Sequence, residues 1–419
     1  MNSRILPLLL ALGCTSTSST PRVEPTSIVV TLEGETASAE SPLPFPRLAT
    51  SQRISVQTFD KDGQPYPFDG DLTLRVRPGK LEQSQWITLA DGQWEGDVAF
   101  RASYGPTRIW AGDEGDKDSS TERVASYATG VSEAIHYAFP TIREMNEVDD
   151  HEINNLSGEF AELRVSDRNV VVTEIGTNGF WVTDVDDEPG TWNSLYVYSF
   201  SKPQGLWEGA RLTVLTGNTQ EYLATTQISF PVYLPEEDTV LPVPDAIELD
   251  GSSTCDNNLM EGMESALVTV LDARVPSDFT SGSEDWSDYL EYGQWPLEIG
   301  DGGCPVYADS TTVPGFDPTE QAGQEIGQVT GLLREIWGKW IITARSDTDL
   351  GGGGFEEDRR PDPGHSRPPS GVGHAIARHK PGTEPARPYE PQLPLRGRPS
   401  LDHAHTHTPA APGAPAESR

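Results

Sequence analysis

The run Val170-Val171-Val172-Thr173-Glu174-Ile175-Gly176-Thr177-Asn178-Gly179-Phe180-Trp181-Val182-Thr183-Asp184 reads as two strands joined by a tight turn. β-Branched and aromatic residues fill both arms, and such side chains suit a pleated, half-buried surface. Thr177-Asn178-Gly179 between them is a hairpin-turn signal. Further strand candidates lie at Glu159–Val165, Ser194–Phe200, Arg211–Thr216 and Tyr222–Phe230, with a longer connection near Ser201–Gly209. Five or six short strands with one long connection predict a small Greek-key barrel over residues 150–235.

The pattern extends in both directions. Upstream, Ser27–Leu32, Arg53–Phe59, Asp71–Val76, Gln85–Leu89, Gln93–Phe100 and Thr107–Ala111 alternate as strands, with turns such as Asp60-Lys61-Asp62-Gly63 and Ala90-Asp91-Gly92 between them. That spacing predicts a β-sandwich over residues 26–145. Downstream, Ala266–Ala273, Gly293–Ile299, Gln328–Glu335 and Lys339–Ala344 predict a second barrel over 245–350. Leu215-Thr216-Gly217 echoes Val329-Thr330-Gly331, and Thr225–Ile228 echoes Ile341–Ala344, so the two barrels read as a tandem pair. Few windows carry a helical apolar period, and the expected class is all-β.

These motifs carry resemblances. The 170–184 hairpin and Trp207-Glu208-Gly209-Ala210-Arg211-Leu212-Thr213-Val214-Leu215-Thr216-Gly217 resemble the OB-like domains of bacterial exported nucleases and related surface proteins; Leu212 stands where that family's pattern has its first Val. Gly262–Val270, Tyr292-Gly293-Gln294-Trp295 and Trp340–Arg345 resemble the opening, second and last strands of the same domains. Ile54–Asp60, Asp62-Gly63-Gln64-Pro65 and Phe68–Leu74 resemble the repeat core of bacterial Ig-like domains. Ala11-Leu12-Gly13-Cys14 resembles a lipobox, after a short apolar run, Ile5–Leu12, that follows Arg4. A run this short suits a signal-peptide core rather than a membrane-spanning helix, which needs roughly 20 residues. The resemblance implies a signal peptide over 1–13, acylation of Cys14, and a polar tether over 14–25. More than one acyl chain is needed for stable anchoring, and the family supplies it. Thr15 stands where the inner-membrane retention signal has Asp, which favours the outer membrane. The order of lipobox, Ig-like sandwich and two OB-like barrels resembles surface lipoproteins of myxobacterial type, from which no activity follows.

Charge and cysteine usage narrow the function. Of 65 acidic and 30 basic residues, the first 350 positions hold 57 and 21, and the last 69 hold 8 and 9. The acidity belongs to the body, and a surface this negative disfavours nucleic acid, whose binding rests on Lys and Arg contacts to phosphate. Residues 351–419 carry 13 prolines, and only Phe355 and Tyr389 as aromatics, a composition expected to be disordered. With Cys14 acylated, Cys255 and Cys304 remain as an even pair in an exported protein, which favours a disulfide.

No catalytic cluster is legible. The body holds only His136 and His151, and it lacks His-x-x-x-His, Cys-x-x-Cys, Gly-x-Ser-x-Gly and a phosphate-cradling glycine loop. Asp60 with Asp62, the run Gly112–Asp118, and Asp184, Asp186, Asp187 and Glu188 read as turns or solvated loops. His403, His405 and His407 alternate within the tail. The expectation is no catalytic residue, no metal site and no cofactor. The candidate ligand face is Trp181, Tyr196 and Tyr198 in the first barrel with Trp337 and Trp340 in the second. Only Arg164, Arg168, Lys202 and Arg211 answer the 12 acids of residues 150–234, so a glycan or protein ligand suits that face better than nucleic acid. The sequence thus reads as a non-catalytic, membrane-anchored surface lipoprotein acting as a binding or structural module. The alternatives are an accessory or degenerate member of an exported-nuclease-like family and a cation-dependent adhesin.

Overall fold

The computed structural model describes residues 25–351 apart from 35–36, 113–127, 148–154, 157 and 301. Cys14 and the signal segment, the tether before residue 25, residues 113–118 of the acidic run, His151, and the tail from 352 onward with His403, His405 and His407 lie outside the described residues. The described chain is all-β, an Ig-like sandwich followed by two OB-like barrels, with three short α-helices among the described residues.

In the sandwich, β1 (Ser27–Leu32), β2 (Thr50–Phe59), β3 (Gly70–Arg77), β4 (Lys80–Leu81), β5 (Trp86–Leu89), β6 (Gln93–Arg101), β7 (Gly105–Gly112), β8 (Thr129–Val131) and β9 (Ile135–Tyr137) form two sheets. Their orders are β1-β2-β6-β4 and β5-β3-β7-β8, with β9 paired to β7. Alternation places Ile54, Val56, Leu72, Leu74, Val98, Phe100 and Ile109 between the sheets. The Asp60 turn is closed from within. Its carboxylate Oδ1 accepts from the backbone N–H of Asp62 at 2.8 Å and of Gln64 at 2.9 Å.

The sandwich is packed onto the first barrel through a short helix. α1 (Ile142–Asn146) begins in a capping box, in which the Thr141 hydroxyl accepts from Glu144 N–H and the Glu144 carboxylate accepts from Thr141 N–H. Its Ile142 and Met145 bury in the same apolar cluster as Phe45, Ala102 and Tyr104 of the sandwich and Phe180 and Val182 of the first barrel. Arg77 pairs with Glu159 at 3.1 Å across the junction, and the Tyr104 hydroxyl donates to the Phe160 carbonyl.

The first barrel has a flanking strand β10 (Phe160–Glu162), then β11 (Val170–Ile175), β12 (Gly179–Asp184), β13 (Ser194–Tyr198), β14 (Ala210–Tyr222) and β15 (Thr225–Val240). The circuit β11-β12-β13-β15-β14 closes back onto β11, antiparallel except for the parallel pair β13–β15. β16 (Ile247–Leu249) and α2 (Asn257–Gly262) lead into the second barrel. There β17 (Leu267–Arg274), α3 (Trp286–Tyr292), β18 (Gln294–Leu297), β19 (Val306–Asp309), β20 (Glu325–Ile336) and β21 (Lys339–Thr343) repeat the plan. β19–β21 is the parallel pair that matches β13–β15, β16 adds a second parallel pairing on β17, and reciprocal Arg274 and Glu298 backbone hydrogen bonds of 3.0 and 2.9 Å close β17 onto β18. The short strands β4, β8, β9, β16 and β19 and the helices escape the sequence reading.

The tandem relation is visible atom by atom. A Cβ on Gly217 would lie 2.4 Å from the Ile228 side chain and 2.7 Å from the Ser229 carbonyl. One on Gly331 would lie 2.9 Å from the Ile342 side chain and 2.3 Å from the Thr343 carbonyl. Glycine is required at both places so that the fourth and fifth strands can approach. Gly217 to Gly331 and Ile228 to Ile342 share one offset of 114 residues, which moves the sequence-based match of Thr225–Ile228 by two positions.

Cys255 and Cys304 form a disulfide with Cα atoms 4.9 Å apart, tying the segment before α2 to the loop before β19. A loop of 49 residues is closed, worth about 3–4 kcal/mol in the chain-entropy account. Replacing both cysteines by serine is expected to lower unfolding free energy by about that amount, measured by denaturant titration.

Candidate functional site

The site is built on one transverse row of the first barrel. Trp181 of β12 lies opposite Tyr196 of β13, Tyr196 opposite Gln227 of β15, and Gln227 opposite Gln220 of β14. Four neighbouring strands thus present four side chains on one outer face, because residues paired across a sheet point the same way. Tyr198 follows Tyr196 by two residues and shares its face. Gly179, the end of the turn signal, is needed here for space, since a Cβ would lie 2.5 Å from the Val197 carbonyl and 2.6 Å from the Tyr196 hydroxyl. That hydroxyl donates to Asn178 Oδ1 at 3.0 Å.

The second barrel covers the inner end of this row. Trp181 is 9 % exposed and clusters with Leu267 and Leu332, and Tyr196 packs against them. Around this apolar contact the backbones are stitched together. Thr225 Oγ1 donates to the Glu335 carbonyl at 2.6 Å, Thr226 N–H to Glu264 Oε2 at 3.0 Å, Trp337 N–H to the Leu223 carbonyl at 3.2 Å, and Trp192 N–H to the Gly262 carbonyl at 2.7 Å. A cavity of about 400 Å³ remains between the barrels, walled by the aromatic row, by Gln220, Tyr222 and Thr225 of the long β14–β15 hairpin, and by Arg334 and Ile336 of β20.

From the cavity an aromatic ladder runs outward. Ring centroids are 4.6 Å apart for Trp181–Tyr196, 6.4 Å for Tyr196–Tyr198, 4.5 Å for Tyr198–Phe200 and 4.7 Å for Phe200–Phe230. Phe200 is 53 % and Phe230 67 % exposed, so the outer rungs are offered to solvent. Of the expected ligand face, Trp181, Tyr196 and Tyr198 come together at this cavity. Trp337 is 79 % exposed at the tip of the β20–β21 hairpin, beside the cavity wall. Trp340 does not belong with them: it points into the second barrel with Ile342 and Ala344, as the two-residue period of β21 dictates. Phe200, an aromatic of the same strand reading, joins Tyr198, and Gln220, Gln227, Tyr222, Phe230 and Arg334 complete the surface and were not singled out by sequence. The i, i+2 spacing of Tyr196, Tyr198 and Phe200 was the available signal.

The electrostatics of the cavity are nearly neutral. Burial pushes the Tyr196 phenol up to about 12, so it stays protonated. Arg334 is the cation of the wall, and its Nη2 sits 3.2 Å from Asp309 Oδ2. Its Nε–H is buried with no hydrogen-bond partner. Behind the cavity the seam encloses acids. Glu264 and Glu261 are buried, and Glu221 accepts from Thr226 Oγ1 at 2.9 Å. Burial first, and the Glu261 charge second, hold the Glu264 carboxyl well above the usual range. Its Oε1 is buried without a hydrogen-bond partner.

Elsewhere the acids serve structure. Asp184 is buried against Arg168, which also reaches Asp187 at 2.8 Å, and Asp186 accepts from Asn169 N–H at 2.8 Å. Lys339 holds α3 through Asp285 at 3.2 Å and Asp288 at 2.7 Å, and it lies 4.3 Å from the centroid of the Tyr307 ring. Among the described residues no three His, Cys, Asp or Glu side chains are placed to share a metal ion, and no helix is long and apolar enough to cross a membrane. No family model matches this sequence, and no curated protein is significantly similar to it.

The seam carries a pH dependence of known sign. With its pKa higher folded than unfolded, Glu264 holds more proton in the folded chain between the two values. Its contribution is therefore most favourable below the unfolded value and declines as pH rises through the window. Glu264→Gln keeps an acceptor for Thr226 N–H. The variant is expected to lose less stability than wild type as pH rises above the ordinary carboxylate range, read from denaturation midpoints.

Proposed function

We propose that this protein is a non-catalytic surface lipoprotein, held at the membrane by acyl chains on Cys14, that takes its ligand in the cleft between its two OB-like barrels. The single observation behind this reading is the seam itself. Two barrels joined through Trp181, Leu267 and Leu332 leave an aromatic-walled cavity that neither forms alone. Largely apolar concavities with a few convergent polar groups are where ligands bind. The sandwich, packed against the first barrel, would carry the pair away from the membrane. The lipobox resemblance at Ala11–Cys14 and Thr15 after the cysteine support an outer-membrane location.

An accessory relative of exported nucleases has less support. A phosphodiester needs free cations, and Arg334, the cation of the cavity wall, is already paired with Asp309. A cation-dependent adhesin would use the acidic loops, yet Asp60, Asp184 and Asp186 are engaged by backbone N–H groups or by Arg168.

Fractionation with fatty-acid labelling tests the anchor. Wild type is expected to label and to sediment with membranes, whereas Cys14→Ala is expected to appear unlabelled in the soluble fraction. Equal partitioning of both would defeat the anchoring.

A further inference from the structure

We propose that the cleft binds a neutral, linear oligosaccharide, stacked along the aromatic ladder with one end in the inter-barrel cavity. This rests on the reading of the cleft as the ligand site and names the class of ligand.

Three observations converge on that chemistry. The first is shape. The rings of Tyr198, Phe200 and Phe230 follow one another at 4.5 and 4.7 Å and become more exposed outward. Such a track suits a chain of repeating units with apolar faces better than one compact molecule. The second is hydrogen bonding at the inner end. Gln220 and Gln227 line the cavity with amides that both donate and accept. Hydroxyl groups, each a donor and an acceptor, match both amides. The third is charge. Arg334 is neutralised by Asp309, and the chain carries a formal charge of −35. An anionic polymer would meet repulsion without compensation, whereas a neutral glycan meets none.

The test uses the full chain in detergent, titrated by calorimetry and tryptophan fluorescence. The probes are cello-, malto-, xylo- and chitohexaose, with oligogalacturonate and single-stranded oligothymidylate as charged probes. One neutral hexaose is expected to bind with a dissociation constant between micromolar and millimolar, with little dependence on salt. Phe200→Ala combined with Phe230→Ala, both at exposed positions, is expected to weaken it about tenfold or more. Unchanged circular dichroism and melting temperature show that the double variant is folded. If only a charged probe binds, and the double variant abolishes that binding, the cleft is the site and the neutral-glycan assignment falls. If a hexaose binds equally to the double variant, the site itself is misplaced. Silence of every hexaose at millimolar concentration also overturns the proposal.

Discussion

The contact of Trp181 with Leu267 and Leu332 governs the arrangement of the rest. It explains why β12 is buried along its whole length. Phe180 and Val182 face the first barrel's interior, while Trp181 and Thr183 lie under the second barrel. A strand covered on both faces reads as a continuous apolar run rather than an alternation, and Gly179-Phe180-Trp181-Val182 is such a run. Losing a buried Trp side chain costs about 3–5 kcal/mol. The four hydrogen bonds across the seam contribute about 0.5–1.5 kcal/mol each. The two sets are comparable in size but not in role. The apolar contact is non-directional, and the hydrogen bonds at Thr225, Thr226, Trp337 and Trp192 fix its angle and thereby the cavity's dimensions.

Most of the fold was legible because alternation and turn chemistry are local. The strands around Ser27–Leu32, Gly179–Asp184 and Lys339–Thr343 were found to within a residue or two. What failed was short or dependent on partners. β19 is four residues, Val306–Asp309, held by a parallel ladder to β21 that no local signal announces. α3, Trp286–Tyr292, buries none of its residues fully, so it leaves no apolar stripe to read. β14 and β15 run far beyond the predicted segments, because they support each other as a hairpin past the barrel.

The candidate site was half legible for a related reason. Tyr196, Tyr198 and Phe200 advertise one face through their spacing. Nothing local tells whether an aromatic in a strand points into its barrel or out of it. Trp340 follows the inward set with Ile342 and Ala344, and the outward role fell to Trp337 on the adjoining turn. Arg334, Gln220 and Gln227 are unremarkable in sequence. They matter only because the parallel register of β13 with β15, and the docking of a second barrel, bring three strands' outer faces to one cavity.

The buried acids are the least expected part of the seam, in a chain whose abundant carboxylates read as a solvated surface. Glu264 and Glu261 lie inside the joint, against the rule that carboxylates are mostly exposed and costly to bury. Replacing them with apolar residues of similar volume would remove a desolvation cost, so stability alone does not account for their presence. Orientation does. Glu264 Oε2 accepts the Thr226 N–H, at the point where β15 leaves its turn and enters the ladder with β13. An apolar side chain there would leave that donor unpaired, and an unpaired buried N–H costs about 1–3 kcal/mol. A slipped docking of the barrels would incur that cost as well. The acid thus favours the docking that pairs Thr226 N–H and opens the cavity beside Tyr196, at the expense of a joint that loosens as pH rises.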